Sequence, residues 1–511
     1  MQNNLINRLS ISTQENRGKA ILLFLLFLFA IYQFSSSGFN SFAIICLSPI
    51  LVLFIYVAFK WKMITFWALI VINYLIQMKD ISASLPLPMS VPNEMLQIIL
   101  LAIAIIDARQ KPHFERIGNL MFLALIIWCS FCTLQILNDT CNIGIDIARW
   151  YSGSRMMAFQ LLYAFLVFSL YISTPERLLS YIKIWVALSL FSAYWVWRQQ
   201  NIGFTDAESI WMQTRGRATH ILNGGSLIRY FSTFSDAANY GCNAAATAVA
   251  FIIFGITSKF RKEKLFYIFT GAIVIWGMFA SGTRTAIFCL AAGLIVFIFL
   301  SKSIKLAIPF TVILIFFMFL LVFTNIGNGN QQIRRMRTAF NKNDASSNVR
   351  DINKETMKKH IRDAPWGMGI GIDTRSVPAN NKYRRLAQIP TDSEYVYIWL
   401  RTGPIGITTF IITMLIMLGG ACYIVLFKIK NKALAGIGGG FCCAFVAIQL
   451  GGYGNQVLMQ FPNCLIFYGG LSIVYILPYL EPEWIKYEER RLAEQEEKKR
   501  LKLEKKLAKR V

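Results

Sequence analysis

Long apolar runs separated by short polar breaks dominate this chain. A bilayer core about 30 Å thick needs about 20 mostly apolar residues per helix. On that rule, spans are expected near 20–34, 41–59, 62–77, 95–107, 118–137, 156–172, 180–197, 238–257, 265–280, 285–300, 305–324, 404–427, 433–455 and 461–479. The two short runs, 20–34 and 95–107, set the lower bound, so the pattern predicts an all-α polytopic membrane protein with about 12–14 transmembrane helices. Two long polar segments break the rhythm, 198–237 and 325–403. The second is a large, partly helical loop before the last three spans. The expected division is a transmembrane bundle over 1–324, the large loop over 325–403, further transmembrane helices over 404–480 and a charged tail over 481–511. No small-residue cleavage site follows the first apolar run, so no signal peptide is expected.

Composition agrees. Of 511 residues, 55% are hydrophobic and only 15% charged, against about 25% charged in a soluble domain. That excludes a soluble enzyme, a disordered scaffold and a small disulfide-stapled domain. The net charge of +25 reads as membrane topology rather than nucleic-acid binding. The ten cysteines lie almost entirely in apolar runs. Cys129 and Cys132 form a C-x-x-C without a second pair, and read as small hydrophobic filler.

Lysine fixes the orientation. With a cytoplasmic N-terminus, the inside loops hold Lys60/Lys62, Arg109/Lys111/Arg116, Arg177/Lys183, Lys259/Arg261/Lys262/Lys264, Lys302/Lys305 and Lys428/Lys430/Lys432. The Lys/Arg/Glu tail falls inside as well, so both termini are placed in the cytoplasm, the tail lying near anionic lipid. The two long outer segments are rich in arginine instead: Arg198, Arg215, Arg217 and Arg229 in the first, and Arg334, Arg335, Arg337, Arg350, Arg362, Arg375, Arg384, Arg385 and Arg401 in the second. The hairpin Ser281-Gly282-Thr283-Arg284 adds one more at the same face. Positive charge outside opposes the insertion bias, and arginine's planar fork suits phosphate. An anionic, phosphate-bearing substrate at the outer face follows. Arg229 and Arg284, both beside spans, are the strongest candidates, with Arg215 and Arg217 nearby.

A carboxylate is also needed if a hydroxyl is to be deprotonated. Asp392 and Glu394 precede a span, where partial burial raises a carboxylate pKa. Two residues apart in an extended stretch, they point to different faces, so one of them is expected to face the site. His360 is the histidine of the large loop, but Met357, Ile361 and Ala364 lie on one helical face against Lys358 and Arg362, so an amphipathic helix with a surface histidine is the simpler reading; His220 has the same status. No D-x-D pair for a divalent cation stands out, only single acids such as Asp236, Asp344 and Asp373. Glycines spaced two apart in Pro365–Gly371 follow no strand and precede no G-K-[ST], so a tight turn along the membrane surface explains them better than a nucleotide loop. Glycines at 436, 438–440 and 451–454 are expected to let helices pack closely.

Three stretches together resemble a family: Arg229-Tyr-Phe-Ser-Thr-Phe-Ser-Asp-Ala-Ala-Asn239; Ser281-Gly-Thr-Arg284-Thr-Ala; and Pro365-Trp-Gly-Met-Gly-Ile-Gly371 with Pro390-Thr-Asp-Ser-Glu-Tyr395 and Leu400-Arg-Thr-Gly403-Pro-Ile-Gly406. Their order, spacing and common side resemble the O-antigen ligase and O-antigen polymerase superfamily of bacterial inner-membrane glycosyltransferases. The resemblance covers roughly residues 200–420 by motif. It implies metal-independent, cofactor-free transfer of a glycan from an undecaprenyl-diphosphate carrier at the periplasmic face. The acceptor is lipid A-core in the ligases and another carrier-linked repeat in the polymerases. Arg229 and Arg284 match the family's diphosphate-holding arginines by motif position. Where the ligases carry a histidine in an H-[NS]-x-x-L type motif, this chain reads Asp392-Ser393-Glu394-Tyr395. That departure favours a polymerase or a divergent ligase, and it makes Asp392 the preferred base, with Glu394 second. His360, Arg350, Tyr395 and Arg401 are the expected acceptor or loop contacts.

A flippase for the same lipid-linked glycan is the alternative from another class. It calls for pseudo-repeated halves and charges within the spans. No internal repeat is visible, and the spans read as nearly free of charge.

Overall fold

The computed structural model describes residues 52–84, 90–107, 113–222, 225–301, 304–337 and 345–507, with isolated positions between 21 and 32. Seven of the 15 residues of the expected span 20–34 and much of 41–59 therefore lie outside the described residues. The protein is an all-α polytopic membrane protein, 79% helical. Among the described residues, eight helices are long and apolar enough to cross a membrane, or nine if 52–60 and 62–75 count as one bent span. Shorter apolar helices at Ser90–Ile106 and Arg284–Leu300 join them. Residues 1–65 and 66–511 form two compact units, and the second carries the helical bundle.

The apolar helices are α1 (Lys62–Leu75), α2 (Ser90–Ile106), α3 (Leu120–Leu134), α4 (Ile147–Tyr171), α5 (Pro175–Asn201), α6 (Ala237–Thr257), α7 (Arg261–Ala280), α8 (Arg284–Leu300), α9 (Ile304–Phe323), α10 (Glu394–Tyr423), α11 (Lys432–Gly454) and α12 (Asn463–Leu507). The centre is α6, rich in Ala and packed by α7, α8 and α11. Asp236 starts it by accepting from the amides of Ala238 and Asn239, a cap worth about 1 kcal/mol. The expected role of the α11 glycines is borne out. A Cβ on Gly436 would sit 2.1 Å from the Thr257 hydroxyl, and one on Gly440 would sit 2.4 Å from the Phe254 ring. Bare backbone lets the helices approach where larger side chains would hold them apart.

Two features differ from the sequence pattern. The membrane helices do carry a buried ion pair: Arg155 of α4 donates to Glu94 of α2 at 3.1 Å and to the Ser90 hydroxyl at 2.7 Å. Gln160 adds a bond to the same carboxylate at 3.0 Å. Removing either charge would strand the other, a loss of about 3–5 kcal/mol for such pairs. The second feature is α10, whose helical hydrogen bonding runs across a break at Gly403, where φ and ψ are 69° and −174°. The break sets Glu394–Thr402 off as a separate short arm before Pro404.

The large loop folds on itself. Met357, Ile361, Ala364, Met368, Ile372, Val377, Tyr383, Leu386, Ile389, Val396 and Leu400 share one small core with Cys141 from the α3–α4 connection. The amphipathic face expected from Met357, Ile361 and Ala364 is buried in it. At the opposite end of the bundle, Lys259 pairs with Glu488 at 2.5 Å and Arg491 with Glu263 at 2.7 Å. Those pairs tie the charged tail, helical to Leu507, to the α6–α7 turn.

Candidate functional site

The site begins at a two-stranded hairpin, β1 (Ile221–Leu222) and β2 (Leu227–Ile228), whose register pairs Ile221 with Ile228. The register carries Arg229 opposite His220, and the Arg229 amide donates to the His220 carbonyl at 2.9 Å. The guanidinium then crosses to the α7–α8 turn. It donates to the Thr283 hydroxyl at 3.1 Å, the Thr219 carbonyl at 2.9 Å and, through Nε, the Ser281 carbonyl at 3.4 Å. Burial holds its pKa below the usual arginine value; Asp236 opposes that shift and the nearby Arg284 charge adds to it.

His220 is not the surface residue the pattern suggested. It is 2% exposed, edge-on to Trp211 and Phe231, and its Nε2 accepts from the Ala237 amide at 3.0 Å. That bond requires a neutral ring with the proton on Nδ1, which faces the Thr219 hydroxyl at 2.8 Å and the Gly216 carbonyl at 3.2 Å. Burial, then the Arg229 charge, pushes its pKa down to about 4. His220 therefore builds the start of α6 and takes no proton near neutral pH. Lys79 buttresses the same corner, donating to the Ser235 carbonyl at 2.7 Å with its ammonium 3.9 Å above the Trp211 ring.

The α7–α8 turn is locked from below. Ser281 Oγ donates to the Met278 carbonyl at 2.7 Å, Thr283 Oγ1 donates to the Ala237 carbonyl at 2.7 Å, and a Cβ on Gly241 would meet Ser281 Oγ at 2.4 Å. Gly282, at φ +57°, makes the corner. A third arginine arrives from the first helix of the large loop, Gln331–Arg337. Arg335 Nε donates to the Gly282 carbonyl at 3.0 Å, and the stems of Arg335 and Arg229 would each lie 3.5 Å from a Cβ on Gly282. The structure thus gathers Arg229, Arg284 and Arg335 at one turn. Sequence reasoning missed Arg335 as a site residue; its only signal was three arginines within Arg334–Arg337, and which one faces the turn depends on how that helix packs.

A second wall continues from Thr285. Asn455, at the end of α11, donates to the Thr285 hydroxyl at 3.0 Å, and Gln456 donates to the Thr391 hydroxyl at 3.1 Å. Ser393 donates to the Gly452 carbonyl at 3.1 Å. This run of bonds sets Asp392, which is exposed, at the same end of the bundle as Arg284. Glu394 turns the other way, is 3% exposed, and accepts from the Leu458 amide at 3.1 Å. Its carboxylate holds the chain after α11 in place. Tyr395 donates to Gln449 Oε1 at 3.1 Å.

The remaining candidates stand apart. Arg215 and Arg217 are exposed on the short helical segments before β1. Arg401 donates to the carbonyls of Gly369 and Ile372. His360 ends the helix Ala345–His360, and the Arg350 side chain and Asp344 lie outside the described residues. Of the single acids, Asp236 caps α6 and Asp373 pairs with Arg149 at 2.8 Å. The Pro365–Gly371 glycines serve close packing. Gly367 has φ +76°, and a Cβ there would lie 2.4 Å from the Gly403 amide nitrogen, so the loop backbone seats directly in the α10 break. The Pro365 carbonyl accepts from the Ile405 amide at 3.3 Å.

Residues 269–411 match the family model described as O-antigen ligase. The match supports the O-antigen ligase and polymerase superfamily. It runs from within α7 into α10 and so contains the Ser281–Arg284 turn, Arg335, the folded loop and Thr391–Glu394. Arg229 and His220 lie before it. No curated protein matches the chain. The match thus covers one stretch of a multi-pass membrane protein.

Proposed function

We propose that this chain is a membrane glycosyltransferase that moves a glycan from an undecaprenyl-diphosphate carrier to a glycan acceptor at the periplasmic face of the bacterial inner membrane. The acceptor is another carrier-linked repeat or lipid A-core. The observation that carries this reading is the convergence of Arg229, Arg284 and Arg335 on Ser281–Thr283. As the sugar C–O bond breaks, negative charge grows on the leaving diphosphate. Cations fixed beside it stabilise that charge more than the ground state, which lowers the barrier. The arginines supply the charge that a metal ion supplies in other transferases, and the bonded turn beneath them removes the cost of reorganising during reaction. Asp392 takes the proton of the attacking acceptor hydroxyl; Glu394, bonded to backbone amides, holds the adjoining chain. Arg215 and Arg217 steer the anionic donor from the short helical segments before β1. Both termini are cytoplasmic in this reading.

The test is the surface glycan of a strain lacking the protein, complemented with wild type or Arg284→Ala. Loss of all polymer from the core identifies a ligase and single repeats on the core identify a polymerase. Arg284→Ala at normal protein level should reproduce the deletion, and full polymer in that strain would refute the arginine role.

A further inference from the structure

The folded loop carries a basic face that the transfer site does not use. Lys358, Lys359, Arg362, Arg375, Lys382 and Arg385 are all exposed. Their segments are bonded to each other around one core. Tyr383 donates to the Asp363 carbonyl at 3.0 Å, and Arg384 donates to the Val377 carbonyl. Met357, Ile361, Val377, Tyr383 and Leu386 share the core beneath. Among the described residues, no ion pair engages Lys358, Lys359, Arg362, Lys382 or Arg385; only Arg375 has one, long at 3.7 Å. Arg384 and Arg401 are spent on carbonyls, so the loop keeps its internal cations and its exposed ones separate. Clustered cations bring a long-range field that concentrates anions.

We infer that this face binds an anionic glycan chain, one bearing carboxylate or phosphate groups, and delivers it to the transfer site. The inference rests on the proposed function for the side on which the loop lies and for the acceptor's being a glycan. A membrane-binding face would mix cations with exposed apolar anchors. Among the described residues between 345 and 390, the exposed large hydrophobic side chains are Ile352 and Trp366; the Trp366 ring stacks on Phe131 of α3, which leaves a single apolar side chain beside the cations. A water-borne polyanion therefore fits better than lipid headgroups.

The full chain in nanodiscs of neutral lipid tests this with polygalacturonate as the acidic probe and dextran as the neutral one. Wild type should bind polygalacturonate in a salt-sensitive way and dextran hardly at all. A Lys358→Gln, Lys359→Gln, Arg362→Gln, Arg385→Gln variant should weaken polygalacturonate binding roughly tenfold or more and flatten the salt dependence. Neutralising lysines of the tail, such as Lys498→Gln with Lys499→Gln, should leave binding unchanged. All four substitutions are at exposed positions, and an unchanged melting temperature confirms that the variant is folded. Equal binding of both probes, unchanged binding in the four-site variant, or loss only of binding to anionic vesicles would overturn the inference. Arg284→Ala should still bind polygalacturonate, so failure of the donor-site reading leaves this result intact.

Discussion

At the scale of single residues, the cations proposed to face the donor are distinct from the side chains that hold the turn. Arg284 opens α8 beside a locked turn, so Arg284→Ala should lose a charge-assisted contact worth about 2–5 kcal/mol in transfer. Arg284→Lys should rescue little, because the planar fork is gone. Asp392→Asn should cut turnover by about 10²–10⁴-fold while donor binding stays near wild type; wild-type turnover in Asp392→Ala would end its role as base. His220 yields a stability prediction. Free histidine gains its proton near pH 6.5, but the native ring resists until about 4. Between those values the unfolded chain binds more protons, so stability falls as pH drops from 6.5 towards 4, by roughly 3 kcal/mol in total. Thermal unfolding in detergent should show a shallower loss over that window for His220→Gln than for wild type; parallel curves would contradict the assignment. Arg229 and Arg284 were legible because each sits beside a span within a motif. His220 and Arg335 were not. The burial of His220 depends on β1 pairing with β2 under Trp211, and Arg335 is one of three near-identical neighbours separated only by the packing of their helix.

Among the elements, apolar runs announced most helices, and the glycines of α11 announced their close packing with α6. The arm Glu394–Thr402 escaped the pattern because only the left-handed backbone of Gly403 separates it from the span. Gly403→Ala is expected to be severe. A Cβ there would sit 2.2 Å from the Pro365 carbonyl oxygen, and φ is +69°. Strain of about 1–3 kcal/mol from the backbone alone should come with displacement of the Pro365–Gly371 loop. Limited proteolysis of the purified variant should then cut within 360–375 faster than in wild type. An unchanged cleavage pattern would show that the break does not seat the loop. The Glu94–Arg155 pair was invisible for a different reason: each residue lies one position before its expected span, 95–107 and 156–172, and the helices extend past those bounds.

For the molecule as a whole, composition gave the membrane class, and the long arginine-rich segments drew attention to the end of the bundle that carries the proposed site. That end collects contributions from five places far apart in sequence: the β1–β2 hairpin, the α7–α8 turn, the start of the large loop, the arm before Gly403 and the exit from α11. Only hydrogen bonds across the bundle, such as Thr283 to Ala237 and Asn455 to Thr285, bring them together, and sequence spacing carries no such information. The central claim is that the arginines of this assembly hold the carrier's diphosphate, and its most direct test is the affinity of the purified protein for undecaprenyl diphosphate. Wild type should bind it well above undecaprenyl monophosphate, and Arg229→Ala, Arg284→Ala and Arg335→Ala should each weaken binding by about 30-fold or more. Equal affinity for the two carriers, unchanged by all three substitutions, would contradict the account.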